Sequence, residues 1–173
     1  MSKRRASILA LVTVAAITAA IMGPLAAQGV HGGTHATVLG SPTGAEFTDQ
    51  VSLQFRYKLA GDQTRVINSQ DPSRVVVAEI TVDPNAQFPW HTHPGPVIVT
   101  VAEGHLTYVQ ASDCVHRPYP AGTAFIDPGR GNVHTAFAGS DGAVLIATFF
   151  EISDTGAPLS ITQTGYDDVC EDL

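Results

Sequence analysis

The chain predicts an all-β fold, an antiparallel sandwich or barrel, and three observations carry that reading. Val51-Ser52-Leu53-Gln54-Phe55-Arg56-Tyr57-Lys58-Leu59 alternates apolar and polar residues without a break, as a half-buried strand does. Val75–Val82 is a run rich in β-branched residues, closed by the turn residues Asp83-Pro84-Asn85. Outside the N-terminal segment no stretch sustains a helical period; short apolar runs recur instead between Gly, Pro and Asp.

Residues 1–27 stand apart from that domain. Lys3-Arg4-Arg5 is a basic start, Ile8 to Met22 is uncharged and apolar, and Pro24-Leu25-Ala26-Ala27 supplies small residues for cleavage after Ala26 or Ala27. The segment reads as a secretory signal peptide or, since Ile8 to Ala27 is long enough to span a bilayer, as an uncleaved signal anchor. The Arg4-Arg5 pair is a weak twin-arginine signal, because Ala6-Ser7 follows where bulky apolar residues are expected. Residues 28–48, rich in Gly, Thr and Ser, read as a flexible leader with a short edge strand near Thr37–Leu39; its His31 and His35 are taken as polar surface residues.

The barrel itself is placed at 49–154. After Val51–Leu59, Gly61-Asp62 breaks the strand and Asp71-Pro72 opens Val75–Val82. Strands are then expected at Pro96–Ala102 and Leu106–Gln110, parted by a Glu103-Gly104 turn. Ala124–Ile126, Val133–Ala138 and Ala143–Phe150 follow, separated by Asp127-Pro128-Gly129 and Gly139-Ser140-Asp141-Gly142. Residues 155–173 form an acidic, turn-rich tail.

The formal charge is −7; loss of Lys3, Arg4 and Arg5 with the signal leaves about −10, which repels phosphate backbones and argues against nucleic-acid binding. No second long apolar run calls for a membrane span beyond the N-terminal segment. Cys114 and Cys170 are an even pair in a chain read as exported, so a disulfide is expected. It would close a loop of about 55 residues and tether the tail, stabilising by about 2–4 kcal/mol.

The chemistry concentrates in Trp90-His91-Thr92-His93-Pro94-Gly95-Pro96 and Gly131-Asn132-Val133-His134. Residues two apart on a strand share a face, so His91 and His93 project together, and His134 from a neighbouring strand would complete a three-nitrogen site with positions left open. Imidazole suits iron, zinc, nickel and copper alike. Pro94-Gly95-Pro96 is a rigid turn that holds His93 in place. Trp90, Phe88, Phe125, Phe137, Phe149 and Tyr108 are read as core or pocket wall, and His105 and His116 as surface residues.

These residues resemble the cupin superfamily of small jelly-roll barrels. The family's first motif runs from a His-x-His pair, through a glutamate, to a glycine; here His91-Thr92-His93 and Gly104 match it. The second runs from a glycine through Pro-x-Gly to a histidine, matched by Gly122, Pro128, Gly129 or Gly131, and His134, with the proline-to-histidine interval one residue longer than usual. The resemblance spans roughly Val75 to Phe150 and is nearest to exported bacterial cupin-domain proteins with a similar His-x-His-Pro-Gly-Pro-Val stretch. It implies a double-stranded β-helix, a divalent transition metal (Fe, Zn, Ni, Cu or Mn) on His91, His93 and His134, a small-molecule ligand, and a homodimer through barrel edges.

One departure stands out. Where the family's glutamate ligand falls, this chain has Val97 or Ile98, and the next carboxylate along is Glu103 in the expected turn. A metal there would have three neutral ligands, vacant positions and an attraction for anionic bidentate ligands. Glu79 is a further carboxylate to weigh, but the apolar set Val76, Ala78, Ile80 and Val82 claims the core face of its strand. Two functions follow: an iron-dependent oxygenase acting on a small anionic substrate, or a non-catalytic module that binds a small ligand beside a degenerate metal site.

Overall fold

Alternating burial along the strands sorts side chains into an inward apolar set and an outward polar set, and the sheet curls to enclose the first. The computed structural model describes residues 33–154, 158–171 and 173, so the segment read as a signal, 1–27, lies outside the described residues. Eleven strands occur among them: β1 (Thr34–Leu39), β2 (Ala45–Glu46), β3 (Leu53–Tyr57), β4 (Arg65–Ser69), β5 (Arg74–Val82), β6 (His91–Thr92), β7 (Val97–Gln110), β8 (Arg117–Pro120), β9 (Ala124–Asp127), β10 (His134–Ile152) and β11 (Ile161–Thr162). All pairings between these strands are antiparallel. Nine strands form one sheet with the path β1-β5-β10-β6-β11, β7 joining β10 to β8 and β9, while β3 and β4 make a separate hairpin. The architecture is the all-β barrel that the strand pattern predicts. No described helix is long and apolar enough to cross a membrane.

The spine of the barrel is the pairing of β7 with β10, and here the expectation of four short strands is corrected. Each is continuous. β7 runs on through Glu103-Gly104, which pair with Val144 and Ala143; Ala102 is left unpaired as a bulge between Val101 and Glu103, and register shifts fall between Ala138 and Ala143 and between Val144 and Leu145. The consequence is a change of phase. Val97, Val99 and Val101 face inward, then Leu106 and Tyr108; across from them, Ala136 and Ala138 give way to Ala143, Leu145 and Ala147. A shift of one residue reverses which face a strand buries, so the bulge lets one strand serve both ends of a curled sheet. Gly104, next along β7, allows the close crossing with β10: its φ is +70° and a Cβ there would lie 2.0 Å from the Gly142 carbonyl oxygen.

The edge strand expected near Thr37–Leu39 is present and longer: β1 starts at Thr34 and pairs in full register with β5 from Thr34↔Val82 to Leu39↔Val77. Between the Gly61-Asp62 break and Asp71-Pro72, where the sequence suggests no strand, β4 pairs residue for residue with β3. Glu79 faces solvent while Val76, Ala78 and Val82 are buried, so its strand presents an apolar face inward.

Cys114 and Cys170 form a disulfide that pins the tail. Cys170 packs with Trp90 and Val109 in a small second cluster bordered by Tyr166, on the side of the sheet away from the main core. Trp90 is therefore core, and the strand's alternation turns His91 the opposite way.

Candidate metal centre

β6 and β10 place His91 directly opposite His134, so cross-strand pairing makes the first contact between the two motifs. His93 lies just past β6, at the start of the Pro94-Gly95-Pro96 turn. That turn is held by the Asp127-Pro128-Gly129-Arg130-Gly131 loop through the Arg130 N–H, which donates to the His93 carbonyl at 2.8 Å. The two loops meet at their glycines: a Cβ on Gly129 would lie 1.9 Å from the Gly95 carbonyl oxygen. Between the histidines, Thr92 accepts a hydrogen bond from the Gly131 N–H at 3.1 Å.

The ligand atoms of His91, His93 and His134 lie within 4.8 Å of one another, and all three side chains are buried. Their ring centroids are 4.2 to 5.1 Å apart. Each Nδ1 is fixed on a backbone carbonyl, which can only accept: His91 on Pro89 at 2.7 Å, His93 on Leu159 at 2.6 Å and His134 on Asn132 at 3.2 Å. Those bonds orient the rings and turn each Nε2 inward, and for His91 and His93 they set the tautomer, the arrangement that orients metal-binding imidazoles. The donor set fits a divalent transition metal: three inward nitrogens, no competing lysine, and outer partners already in place.

Asp127 is the residue that sequence reasoning assigned only to a turn. It is 1% exposed and closes β9. Its Oδ1 accepts the Gly129 N–H at 2.7 Å, while Oδ2 lies 2.7 Å from His134 Nε2 and 3.8 Å from His93 Nε2. The tail's contribution was also missed. Leu159 supplies the carbonyl for His93, and β11 extends the sheet beside β6, with Ile161↔Thr92 and Thr162↔His91 in register. A hydrophobic residue in an acidic tail carries no signal of such a role, because its backbone makes the contact.

Burial dominates the electrostatics. It holds His93 down to about 4 against the opposing pull of Asp127, and it holds His91 well below the usual imidazole value, aided by the neighbouring His134 and His93. Burial works the other way on Asp127, but the charge and hydrogen bond of His134, then His93 and the Gly129 N–H, outweigh it and bring the carboxyl to about 2. Burial likewise raises Tyr108 well above its ordinary value and keeps its hydroxyl protonated, with Gln110 and Asn132 donating to its oxygen.

The site opens on a cavity of about 80 Å³, room for several waters or one compact organic molecule. Ala36, Ala78, Ala136 and Ala147 leave the space, and Phe88 and Phe149 are among the residues that wall it. His105 and His116 are exposed and away from it, as is His35 on β1.

Fold and site together define an antiparallel β-barrel with an interior three-histidine cluster. No protein-family model matches the sequence, and no curated protein matches it. Among solved structures the chain is similar to KdgF from a Halomonas species, at 18% identity over 74% of this chain and 87% of that one, with a TM-score of 0.47. It is similar to the polyketide cyclase RemF from Streptomyces resistomycificus, at 21% identity over 69% and 66%, TM-score 0.47. A third is an RmlC-like cupin from Shewanella frigidimarina, at 20% identity over 61% and 80%, TM-score 0.39.

Proposed function

We propose that this chain is an exported metal-binding cupin in which His91, His93 and His134 hold a divalent transition metal at the wall of a small-ligand cavity, and that it oxygenates a small anionic substrate when the metal is iron. One observation carries the reading: three buried imidazoles, each with Nδ1 fixed on a carbonyl, face one apolar cavity with Nε2. Bound iron would mediate electron transfer from the substrate, which is oxidised, to dioxygen, which is reduced. The protein's own part is to position and exclude. Phe88, Phe149 and the four cavity alanines shape a water-poor space in which charge interactions are strong. The anionic end of a substrate would sit toward the histidines and its apolar body against this wall. The Tyr108 hydroxyl, fixed by Asn132, offers a polar group for orientation. Export is supported by the Cys114–Cys170 disulfide together with the basic, apolar start of the chain.

A second reading, a non-catalytic binding module, is favoured by the scarcity of polar groups in the cavity beyond the histidines, Asp127, Tyr108 and Ser160. Elemental analysis of the untagged mature protein, compared with a His91→Ala/His134→Ala variant, tests the metal. Near-stoichiometric iron, zinc, nickel, copper or manganese that disappears in the variant is expected; no metal in either protein, even after reconstitution, refutes the site. Oxygen uptake by the iron-loaded protein with a panel of small acids and diketones then separates the two readings.

A further inference from the structure

We infer that Asp127 is a fourth, anionic ligand of this site, a carboxylate that reaches the metal from β9 where the family's glutamate is missing from β7. The inference rests on the three-histidine reading above and changes its charge. Val97, one of the two positions where that glutamate would fall, is 1% exposed and lines the cavity. In the β7–β9 ladder, Val97 is paired directly with Asp127. Cross-strand partners in an antiparallel pair project from the same face with neighbouring Cβ atoms, so a side chain at either position reaches nearly the same volume. The carboxylate is lost from one member of the pair and present in the other.

Asp127's local role does not account for its geometry. Forming the Asp127–Gly129 turn requires one oxygen, and Oδ1 serves it. Oδ2 is directed into the cavity, 2.7 Å from His134 Nε2 and 3.8 Å from His93 Nε2, the two inward nitrogens of different motifs. A carboxylate buried to this degree is costly unless it has charged partners. A metal held between Oδ2 and the inward histidine nitrogens would give it one. With Asp127 bound, the site carries a net charge of +1 rather than +2, keeps fewer vacant positions, and holds its metal more tightly than three neutral ligands would. It also discriminates less strongly in favour of anions than the bare three-histidine set.

The test uses the mature full-length protein with Co(II) as the probe. Asp127→Asn keeps an oxygen to accept the Gly129 N–H and so preserves the turn. The expected result is Co(II) affinity about 10- to 100-fold weaker than in wild type, with tighter binding of added azide because a position and a positive charge are exposed. Adding Val97→Glu to Asp127→Asn should recover most of the lost affinity by returning the carboxylate to β7. For the wild-type protein itself, the infrared difference spectrum on Co(II) binding should show a shifted carboxylate band, so the proposal remains testable if a variant misfolds. Wild-type affinity and azide binding retained in Asp127→Asn, or no carboxylate shift in wild type, overturns the fourth ligand and leaves the histidine site standing. Failure of the wild-type protein to bind Co(II) at all overturns both.

Discussion

Replacing Gly129 by alanine tests whether the contact between the two motif loops assembles the site. Gly129 has φ +57°, and an added Cβ would lie 1.9 Å from the Gly95 oxygen and 2.5 Å from its carbonyl carbon. Real Cβ contacts stay beyond 3.0 Å, so the loops must part by more than an ångström. Two costs add. A left-handed backbone conformation costs a residue with a Cβ about 1–2 kcal/mol. Separation also stretches the Arg130 N–H to His93 carbonyl bond, now 2.8 Å, which is worth about 1 kcal/mol. The sum is about 3 kcal/mol, or a fall in Tm of about 10 °C for a domain of this size. Gly131 in the same loop is the control: its φ is +83° but nothing lies within 4 Å of its Cβ position, so Gly131→Ala carries the conformational cost alone, about 1–2 kcal/mol. Urea unfolding of both variants gives the comparison, and metal titration of each gives its consequence: affinity should fall in Gly129→Ala, where His93 is displaced, and little in Gly131→Ala. Equal destabilisation by the two substitutions would refute the claim that glycine-to-glycine packing aligns the motifs.

The remaining predictions concern the tail and the buried imidazoles. A Cys114→Ser/Cys170→Ser variant should lose about 2–4 kcal/mol in chemical unfolding, given the long loop the bridge closes; it should also weaken metal binding, since the tail supplies the Leu159 carbonyl that orients His93. An unchanged unfolding midpoint would show that β11 docks without the tether. For the metal-stripped protein, the folded state resists protonation of His93 down to about pH 4, whereas the unfolded chain takes up that proton near 6.5. The unfolded state therefore binds more protons between these values, so stability is full above about pH 6.5 and declines as pH falls toward 4, by on the order of 3 kcal/mol for His93 alone. His91, shifted the same way, adds to it. Denaturation midpoints at a series of pH values check this; a flat profile from pH 7 to 4.5 would mean that the imidazoles are solvated rather than buried.

Pattern and composition by themselves determined the β class, the inward face of β5 with Glu79 turned out, the pairing of Cys114 with Cys170 and the shared face of His91 and His93, while the family resemblance implied His134 as their partner. These are local or combinatorial properties: alternation is a property of the strand, two cysteines have one way to pair, and a His-x-His pair on an extended chain shares one face. Only the tertiary structure decided the rest. Glu103-Gly104 looks like a turn in sequence, and only the 14-residue β7 held against β10 makes it continuous strand beside the Ala102 bulge. β4 gains its strand from its partner β3 rather than from its own pattern. Asp127, ahead of Pro128-Gly129, carries the signature of a turn, and its second role depends on sitting across the ladder from Val97. Leu159 acts through its carbonyl, which every residue has. Long-range register, not residue type, gives these groups their chemistry, because a side chain or carbonyl acquires a partner only when pairing fixes which strand lies opposite.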